Sequence, residues 1–586
     1  MKKIYSIFIL AILFACNDDF LQRFPQTSIA QENFFKSTTD LRTYSYQFYD
    51  YLGASYMDRP SDNTTVEKGG IQSLMLGSVT ADNAGGWGSW GTVRAINFFL
   101  DNYKKAQGDA GEIKKYGAMG HFARAKCYTG MVQTYSDVPW YSHVVKDDDT
   151  EMLFKPRDTR ELVVDSIIAD LEFSTANLTN ESSKALLSKW AAYTELSRFC
   201  LYEGTYRKYH SGETDLHVVK SADYFLNKAV SAAEAVMKSG NFAISSKGNP
   251  GEDYGDLFNG GTELNSNPEI IMYIDYEDDK REHGSRLVLD FENGISRTMA
   301  DSYLYMNGSF VPKSVTDVTP LEQVFENRDP RMKQSLYFPG YILPSDPIPY
   351  KISINKTGGY GQIKFIPKVK AKHWEGFYSC YTDLPLYRYA EVLLNYAEAK
   401  AELGQLSQTD LDKTINLLRD RVGVGHLFMN PPIDPVNEAI NKGITSKQKA
   451  ELLEIRRERR VELFAEGFRY DDMMRWKLGK IFEQPQQGIY VPSSGMVDVT
   501  GDGEVDYFIS DSESKKPADL PDNVSVLITT SDDSPVYLEN GNYGHIMFKF
   551  EQRGIGTFIE PKYYYRPIPT SQMLLNTNLK QIFGWN

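Results

Sequence analysis

The residue patterns of the common catalytic sites are missing from this 586-residue sequence. It has no H-E-x-x-H zinc pattern, no G-x-S-x-G nucleophile turn and no P-loop, and its eight histidines never pair at metal-binding spacing. Asp471 and Asp472 are adjacent acids of the kind that glycoside hydrolases use in pairs, but flanking arginines favour a structural ion pair. We therefore predict a protein that is not an enzyme and requires no cofactor.

One loop has the pattern of an oxygen-ligated metal site. Its oxygen-bearing side chains stand at alternate positions, with Gly503 at the sixth position as in an EF-hand calcium loop: Asp498, Thr500, Asp502, Glu504 and Asp506. The twelfth position, where an EF-hand has a bidentate glutamate, is Ile509. The loop is thus either a structural Ca²⁺ site completed by a remote carboxylate or an Asp-Gly turn without metal.

Two aromatic loops favour the binding of a sugar. Trp87 and Trp90 stand in a glycine-rich loop beside Asp82 and Asn83, and a second loop combines the rings of Trp374 and Tyr378 with polar neighbours. Flat rings can stack on the CH face of a sugar while amide and carboxylate groups bond its hydroxyls. The alternative is that these rings fill the scaffold. We take the six residues as the candidate ligand-binding set.

The arginine-rich segment at 456–460 carries no nucleic-acid signature. Its arginines are accompanied by glutamates three and four positions away, which neutralise them on a helix. We predict a salt-bridged helix face, with Glu466 and Arg469 as buried or half-buried partners. Composition agrees, because 64 Lys and Arg against 78 Asp and Glu give a net charge of −14, which repels a phosphate backbone.

Hydrophobic periodicity predicts a mainly α fold that positions these loops. Apolar residues recur at helical spacing in seven segments, the last opening with a capping-box pattern at Thr445 and Gln448: 117–135, 159–178, 188–206, 221–238, 386–403, 410–422 and 445–466. Short turns join several of them as antiparallel hairpins, whose spacing is loosely that of tetratricopeptide repeats but without a clean repeat signature. Short strands are predicted at 269–275, 524–528 and 545–550, within irregular segments.

The N-terminal residues have the pattern of an export signal. Lys2 and Lys3 precede a twelve-residue apolar run, which is too short to span a membrane. The run ends at Ala15-Cys16, similar to a bacterial lipobox, so we predict a signal peptide over residues 1–15 and lipidation, such as palmitate, of Cys16. A lipid there would attach the protein to a membrane surface without a spanning helix. The alternative is an ordinary signal peptide with an incidental cysteine.

Several blocks of sequence resemble the SusD/RagB family of outer-membrane lipoproteins. In order along the chain they are GHFARAKCYTGMVQTYSDVPW (120–140), NRDPRM (327–332), PLYRYAEVLLNYAEAKAELG (385–404), INLLRDRVG (415–423), ELLEIRRERRVELFAEGFRYDDMMRW (451–476) and YYYRPIPTSQMLLNTNLKQ (563–581). The block at 451–476 is the most specific. Because the blocks are mostly scaffold, they point to the family and not to its ligand.

The resemblance implies a SusD-like α-helical fold with tetratricopeptide-like hairpins, irregular loops and small β elements over residues 16–586. The helical scaffold would occupy about 31–240 and 385–480, and loop-rich ligand-side insertions about 241–384 and 484–560. It also implies a cell-surface protein of the outer membrane that binds a glycan or other nutrient. Such a protein delivers its ligand, uncleaved, to a SusC-like TonB-dependent transporter.

Two other functions stay open from the sequence. A surface glycoside hydrolase would need two carboxylates about 5 to 10 Å apart in an aromatic cleft. A tetratricopeptide-type scaffold would bind only protein partners. The identity of the ligand and the role of the segment 484–560 are not encoded in any motif of the chain.

Overall fold

The computed structural model describes residues 34–58, 60–65, 69–289, 294–344, 346–369, 376–552 and 554–585; Cys16 and Trp374 lie outside these ranges. The fold is mainly α, which confirms the predicted class. The longer helices are Trp90–Asn102, Ala110–Tyr135, Arg160–Asn177, Lys189–Tyr209, Ala222–Met237, Tyr389–Glu402 and Lys449–Glu462. Shorter helices are Thr38–Ser45, Gly69–Met75, Thr150–Leu153, Arg297–Ser302, Lys313–Thr316, Leu321–Val324, Arg331–Ser335, Ile354–Thr357, Gln408–Asp412, Ile415–Val422, Pro435–Ile440, Arg469–Arg475, Lys549–Gln552 and Thr570–Leu575.

Capping side chains set the start of the long helices in the first half. Asp109, Thr159, Ser188 and Ser221 each accept a hydrogen bond from the backbone N–H three residues later. Such caps satisfy one of the free N–H groups at a helix start. The helices pack with alanines fully buried between them, which lets their axes approach closely: Ala118, Ala125, Ala191, Ala192, Ala229 and Ala233. No described helix is long and apolar enough to cross a membrane.

The strands are short, and the first pair packs on the core of the helical scaffold through Ile271, Met272 and Ile274. Strand β1 (Ile270–Ile274) pairs antiparallel with β2 (Leu384–Arg388), which leads directly into the helix Tyr389–Glu402. The others are β3 (Gln487–Val491), β4 (Gly495–Val497), β5 (Tyr507–Ser510), β6 (Ser525–Ile528), β7 (Val536–Leu538) and β8 (Gly544–Phe548). They form two three-stranded sheets, ordered β3-β8-β7 and β4-β5-β6. The predicted strands near 269–275, 524–528 and 545–550 are confirmed.

Two predicted helix boundaries are wrong. The capping box at Thr445 is not formed, because the helix begins at Lys449 and the side chain of Gln448 instead bonds both backbone groups of Leu406. The predicted helix 410–422 is two helices, broken after Asp412. In both places a tertiary contact or a local break overrides a pattern that is only a weak guide to helix ends.

The arginine-rich helix is buried. This corrects the prediction of a helix face on which the arginines pair with glutamates of the same helix. All four arginines of 456–460 are buried, and each binds an acid outside its own helix: Arg456 binds Glu402, Arg457 Asp434, Arg459 Asp472 and Arg460 Asp62. One i,i+3 pair, Arg457 with Glu454, remains. The helix lies inside the domain, so acids on neighbouring elements take the place of those on its own surface. Asp472 is the structural ion-pair partner that the sequence favoured.

Glu466 and Arg469 are buried as predicted, but they do not bind each other. Arg469 donates two hydrogen bonds of 2.7 Å to the carboxylate of Asp62. Glu466 accepts from Lys364 and Arg388 at 2.7 Å. The predicted pairing is therefore wrong: each group has a partner more than 70 residues away in the sequence.

A pair of carboxylates at the end of the β1–β2 sheet predicts a pH dependence of stability. Asp275 follows β1 and Asp383 precedes β2, and the Tyr276 N–H donates to Asp383 at 2.9 Å. Burial and the nearby negative charges of Asp275 and Glu263 raise the pKa of Asp383 to about 6. Since the unfolded pKa is about 3.9, the folded state gains stability below that value and loses it as pH rises through 6.

We expect Asp383→Asn, which stays neutral at every pH, to be more stable than the wild type above pH 6 by about 1 kcal/mol, allowing for the partial exposure of the pair. Urea unfolding from pH 4 to 8 measures this difference. The exposed Asp532, changed to asparagine, is the control and should change stability by less than about 0.5 kcal/mol. A constant difference between wild type and Asp383→Asn across the range would contradict the assignment.

Candidate functional site

The tryptophan loop lines an open groove of about 390 Å³. One wall is formed by Trp87 and Trp90, the second by the segment 139–154, and the third by the C-terminal residues 572–579. The segment 139–154 contributes Tyr141, Leu153 and Phe154. A groove of this size, mostly apolar with a few polar groups, is the usual form of a small-ligand site.

The glycines of the loop determine where the two indoles lie. Gly86 and Gly88 have φ of +80° and +62°, a region in which only glycine is unstrained. A Cβ atom on Gly88 would come within 2.7 Å of the Trp90 ring. The loop then enters the helix Trp90–Asn102 directly, so Trp90 is held at a helix start.

The aromatic rings of the groove contact one another edge to face. The Trp87 ring centroid is 5.6 Å from that of Trp90 and 4.8 Å from that of Tyr135, and the Trp90 ring lies 5.6 Å from Tyr141. The ring quadrupoles favour these edge-to-face arrangements, which hold the four rings in place. Both indoles are half-buried: one side packs on the helical core and the other lines the groove. The sugar-binding and core-filling interpretations therefore apply to different sides of the same rings.

Polar groups hold the second wall against the helix Trp90–Asn102. The Arg94 guanidinium donates to the Val145 carbonyl at 2.7 Å, and the Asn97 amide donates to the Tyr141 and His143 carbonyls. His143 is exposed at the rim and contacts Asp101 at 2.6 Å. These bonds fix residues 141–145, which have no regular secondary structure, so the groove is formed before any ligand arrives.

Asp82 and Asn83 support the loop and do not line the groove. Asp82 accepts a 2.6 Å hydrogen bond from the Thr570 hydroxyl, and the Thr570 N–H donates to the Ala81 carbonyl. The Asn83 side chain bonds Thr80 and Ser78, which closes a local turn. The C-terminal wall is thus attached to the tryptophan loop through Asp82. Both residues remain candidate ligand contacts at the exposed outer side of this loop.

Tyr378 belongs to a different surface. It is 68% exposed beside Phe377, which is 58% exposed, on a turn fixed by a hydrogen bond from Arg286 to the Gly376 carbonyl. Tyr378 is not among the described residues that line the groove. Trp374, its predicted companion, lies outside the described residues. The candidate set is therefore divided: in the described part of the chain the structure provides no contact between Tyr378 and the tryptophan loop.

Four exposed apolar residues at the tryptophan groove were not predicted from the sequence. Leu153, Phe154, Leu574 and Leu575 are exposed at 42, 45, 76 and 69%, and all but Leu574 line the groove. In the sequence they could have been noticed only as two apolar pairs, Leu-Phe and Leu-Leu, within polar stretches. More than 400 residues separate the two pairs, so only the fold brings them together.

The acidic loop 498–506 is organised by its own backbone. Asp498 accepts hydrogen bonds from the N–H groups of Gly501 and Gly503, and Asp506 accepts from Val499 and Thr500. Asp502 accepts from the Glu504 N–H. Among the described residues, the group of three acids whose ligand atoms come within 4.8 Å of one another is elsewhere, at an exposed turn with Asp278, Asp279 and Glu282. The calcium hypothesis for 498–506 stays a prediction.

Chelation tests that hypothesis. If Asp498, Asp502 and Asp506 bind Ca²⁺, then EDTA should lower Tm, added Ca²⁺ should restore it, and Asp502→Ala should remove the response, because an ion that binds only the folded state stabilises it by mass action. The control is Asp279→Ala, in the other acidic group. If neither EDTA nor Ca²⁺ changes Tm, the loop is an Asp-Gly turn without metal.

The groove is formed by two parts of the chain that match two family models. A model of the SusD family matches residues 268–585, more than half of the chain. The chain belongs to the SusD family. A second model, described as starch-binding and associating with the outer membrane, matches residues 79–201. The tryptophan loop and second wall lie in the latter segment, and the C-terminal wall lies in the former.

Known SusD-family proteins resemble this one along most of its length. A SusD-like protein from Formosa agariphila is 24% identical over 512 residues, which cover 81% of this chain and 92% of that protein. A SusD-like protein from Bacteroides fragilis has a crystal structure that matches with a TM-score of 0.67 at 19% identity, covering 96% of this chain and all of the other. A SusD-like carbohydrate binding protein from the same species matches with a TM-score of 0.66 at 20% identity, covering 93% and 99%.

Proposed function

We propose that this SusD-family protein is a glycan-binding lipoprotein of the cell surface, which captures an oligosaccharide and delivers it to a SusC-like TonB-dependent transporter without cleaving it. The observation that carries the proposal is the preformed groove with the indoles of Trp87 and Trp90 in its wall. An open groove holds a segment of a longer chain and still releases it. The carbohydrate-binding description of a fold relative supports the same ligand class.

The function is tested with a panel of soluble polysaccharides in native affinity gels, together with an assay for reducing ends. We expect retardation by at least one glycan and no new reducing ends. Retardation with product release would mean a hydrolase. If no glycan retards the protein and only a protein partner is captured, the helical-repeat scaffold replaces the proposed function.

Anchoring is tested at Cys16. We expect Cys16→Ala to release the protein from outer-membrane fractions or leave it unprocessed, because an acyl chain would be the anchor. Cys127→Ala, at a half-buried cysteine of the helical core, is the matched control and should stay with the membrane. Normal processing and full membrane retention of Cys16→Ala would contradict the lipoprotein.

Delivery is tested by affinity purification from solubilised outer membranes. A tagged wild-type chain should retain a TonB-dependent transporter through washing, and adding the glycan identified by the panel should change the amount retained. A chain that purifies alone from cells that contain the transporter would contradict this part of the proposal.

A further inference from the structure

A second cavity, of about 320 Å³, lies inside the helical scaffold. It opens between the helices Ala110–Tyr135 and Lys189–Tyr209 and is closed by the turn and helix at 466–475. None of its lining residues lines the tryptophan groove. Its volume is at the lower end of the range of small-molecule sites, about 300 to 1,000 Å³. We call it the interhelical cavity.

Each of the two helices turns one face onto the interhelical cavity. The first contributes Lys126, Thr129, Gly130 and Gln133, and the second contributes Glu195, Arg198, Phe199 and Tyr202. These two sets of four follow the spacing i, i+3, i+4, i+7, which is one face of a helix, and Leu201 of the second helix lines the cavity beside them. The cavity therefore lies between two facing helix surfaces, whose lining side chains are mostly polar or aromatic.

Most charged side chains that line the interhelical cavity are already paired with other protein groups: Lys126, Glu195, Arg198, Arg459, Glu466, Asp472 and Arg475. Lys126 donates to both oxygens of Glu195 at 3.1 Å. Arg198 forms a two-bond pair with Glu391, with distances of 2.6 and 2.7 Å. A charged ligand would have to compete with these pairs, whereas a neutral ligand could accept or donate hydrogen bonds at their exposed edges. These ion pairs thus favour an uncharged polar ligand over a charged one.

One buried hydroxyl in the interhelical cavity has no protein partner. Thr129 is 8% exposed, and its Oγ1 forms no hydrogen bond with any described residue. Buried hydroxyls are normally hydrogen-bonded, because an unpaired one keeps the full penalty of desolvation. Thr129 lines the cavity, so a polar ligand there can supply the missing bond.

Gly130 leaves the mouth of the interhelical cavity open. It is exposed in the middle of a helix, where glycine is unfavourable relative to alanine. Gly117 and Gly120 in the same helix are required by packing, since a Cβ would come within 2.3 Å of Tyr103 and 2.9 Å of Leu100. A Cβ on Gly130 would meet no atom within 4 Å. Packing therefore does not require glycine at position 130. The absence of a side chain there keeps the entrance to the interhelical cavity open.

We propose that the interhelical cavity is a second binding site that takes one monosaccharide. A pyranose is neutral, carries hydroxyls that both donate and accept, and has a CH surface for the apolar walls of Phe199, Tyr202 and Phe468. This proposal does not depend on glycan capture in the tryptophan groove, and either site can fail without the other.

The test is ligand-observed saturation-transfer NMR of the full chain with glucose, galactose, mannose, xylose and N-acetylglucosamine, each measured separately. At least one sugar should give a saturable signal. Gly130→Trp, which fills the mouth at a position with free space, should weaken that signal at least tenfold with unchanged Tm. Lys114→Trp, exposed on the same helix away from the cavity, is the control and should leave the signal unchanged.

Thr129→Val separates binding from structure. A purely structural role predicts equal or higher Tm with unchanged sugar binding, because an unpartnered hydroxyl is removed. The proposal predicts equal or higher Tm with weaker sugar binding. Absence of a saturable signal for all five sugars, a signal unchanged by Gly130→Trp, or a signal lost only in Trp87→Ala would overturn it.

Discussion

Replacing Glu462 by glutamine should destabilise the protein by about 3 to 5 kcal/mol, the usual cost of removing one partner from a buried ion pair. Glu462 is fully buried and accepts hydrogen bonds of 2.7, 2.6 and 2.6 Å from Arg331, Arg388 and Arg421. Burial alone would raise the pKa of Glu462, but Arg421, Arg388 and Arg331 together lower it well below its usual value. Glutamine cannot neutralise them, and its amide would point N–H groups at guanidinium donors.

The three arginines make Glu462 the junction of the C-terminal half. They come from the helix Arg331–Ser335, from strand β2 and from the helix Ile415–Val422, and Glu462 is the last residue of the helix Lys449–Glu462. Loss of its charge therefore loosens four elements together. We expect lower denaturant midpoints and a lower Tm, measured by circular dichroism.

An exposed pair provides the matched control for Glu462. Glu438 bonds Lys449 with both side chains about 40% exposed, and such pairs contribute about 0 to 1 kcal/mol. Glu438→Gln should therefore change stability by less than about 1 kcal/mol. If Glu462→Gln is as stable as Glu438→Gln, the buried ion network does not hold this half together. If Glu462→Gln does not fold, Glu462→Asp, which keeps the charge, should recover soluble protein.

Removing the indoles of Trp87 and Trp90 together should weaken glycan binding at least tenfold. Aromatic contacts in a binding site contribute about 1 to 3 kcal/mol each, and 1.4 kcal/mol corresponds to a tenfold change in Kd. Calorimetric titration of Trp87→Ala/Trp90→Ala with the retained glycan measures the loss. Because each indole also packs on the core, the double variant should melt a few degrees lower, so affinity is measured well below its Tm.

Trp190 separates a lost binding surface from a lost aromatic ring. It is also half-buried against the helical core, near Tyr193 and Phe242, and lies outside the groove. Trp190→Ala should lower Tm by a similar amount and leave glycan affinity unchanged. If Trp87→Ala/Trp90→Ala binds the glycan with unchanged affinity, this loop is not part of the binding site and the two rings only fill the scaffold.

The sequence by itself determined the elements that depend on local interactions. Helix hydrogen bonds join residues four apart, so apolar spacing specifies the long helices from the sequence alone. The SusD family was also evident, because its blocks are contiguous in the sequence. The glycine-tryptophan loop was identified for the same reason, because its glycines and indoles are neighbours in the sequence.

The tertiary structure decided which distant residues meet. Phe154 and Leu575 complete the groove, and Arg469 binds Asp62 in place of Glu466, across separations that no periodicity encodes. The choice of ion-pair partner depends on burial, because a charge removed from water must pair with the acid that its own packing position brings within reach. The same reason explains the interhelical cavity, since Thr129 is an ordinary helix residue until the surrounding elements bury its hydroxyl without a partner.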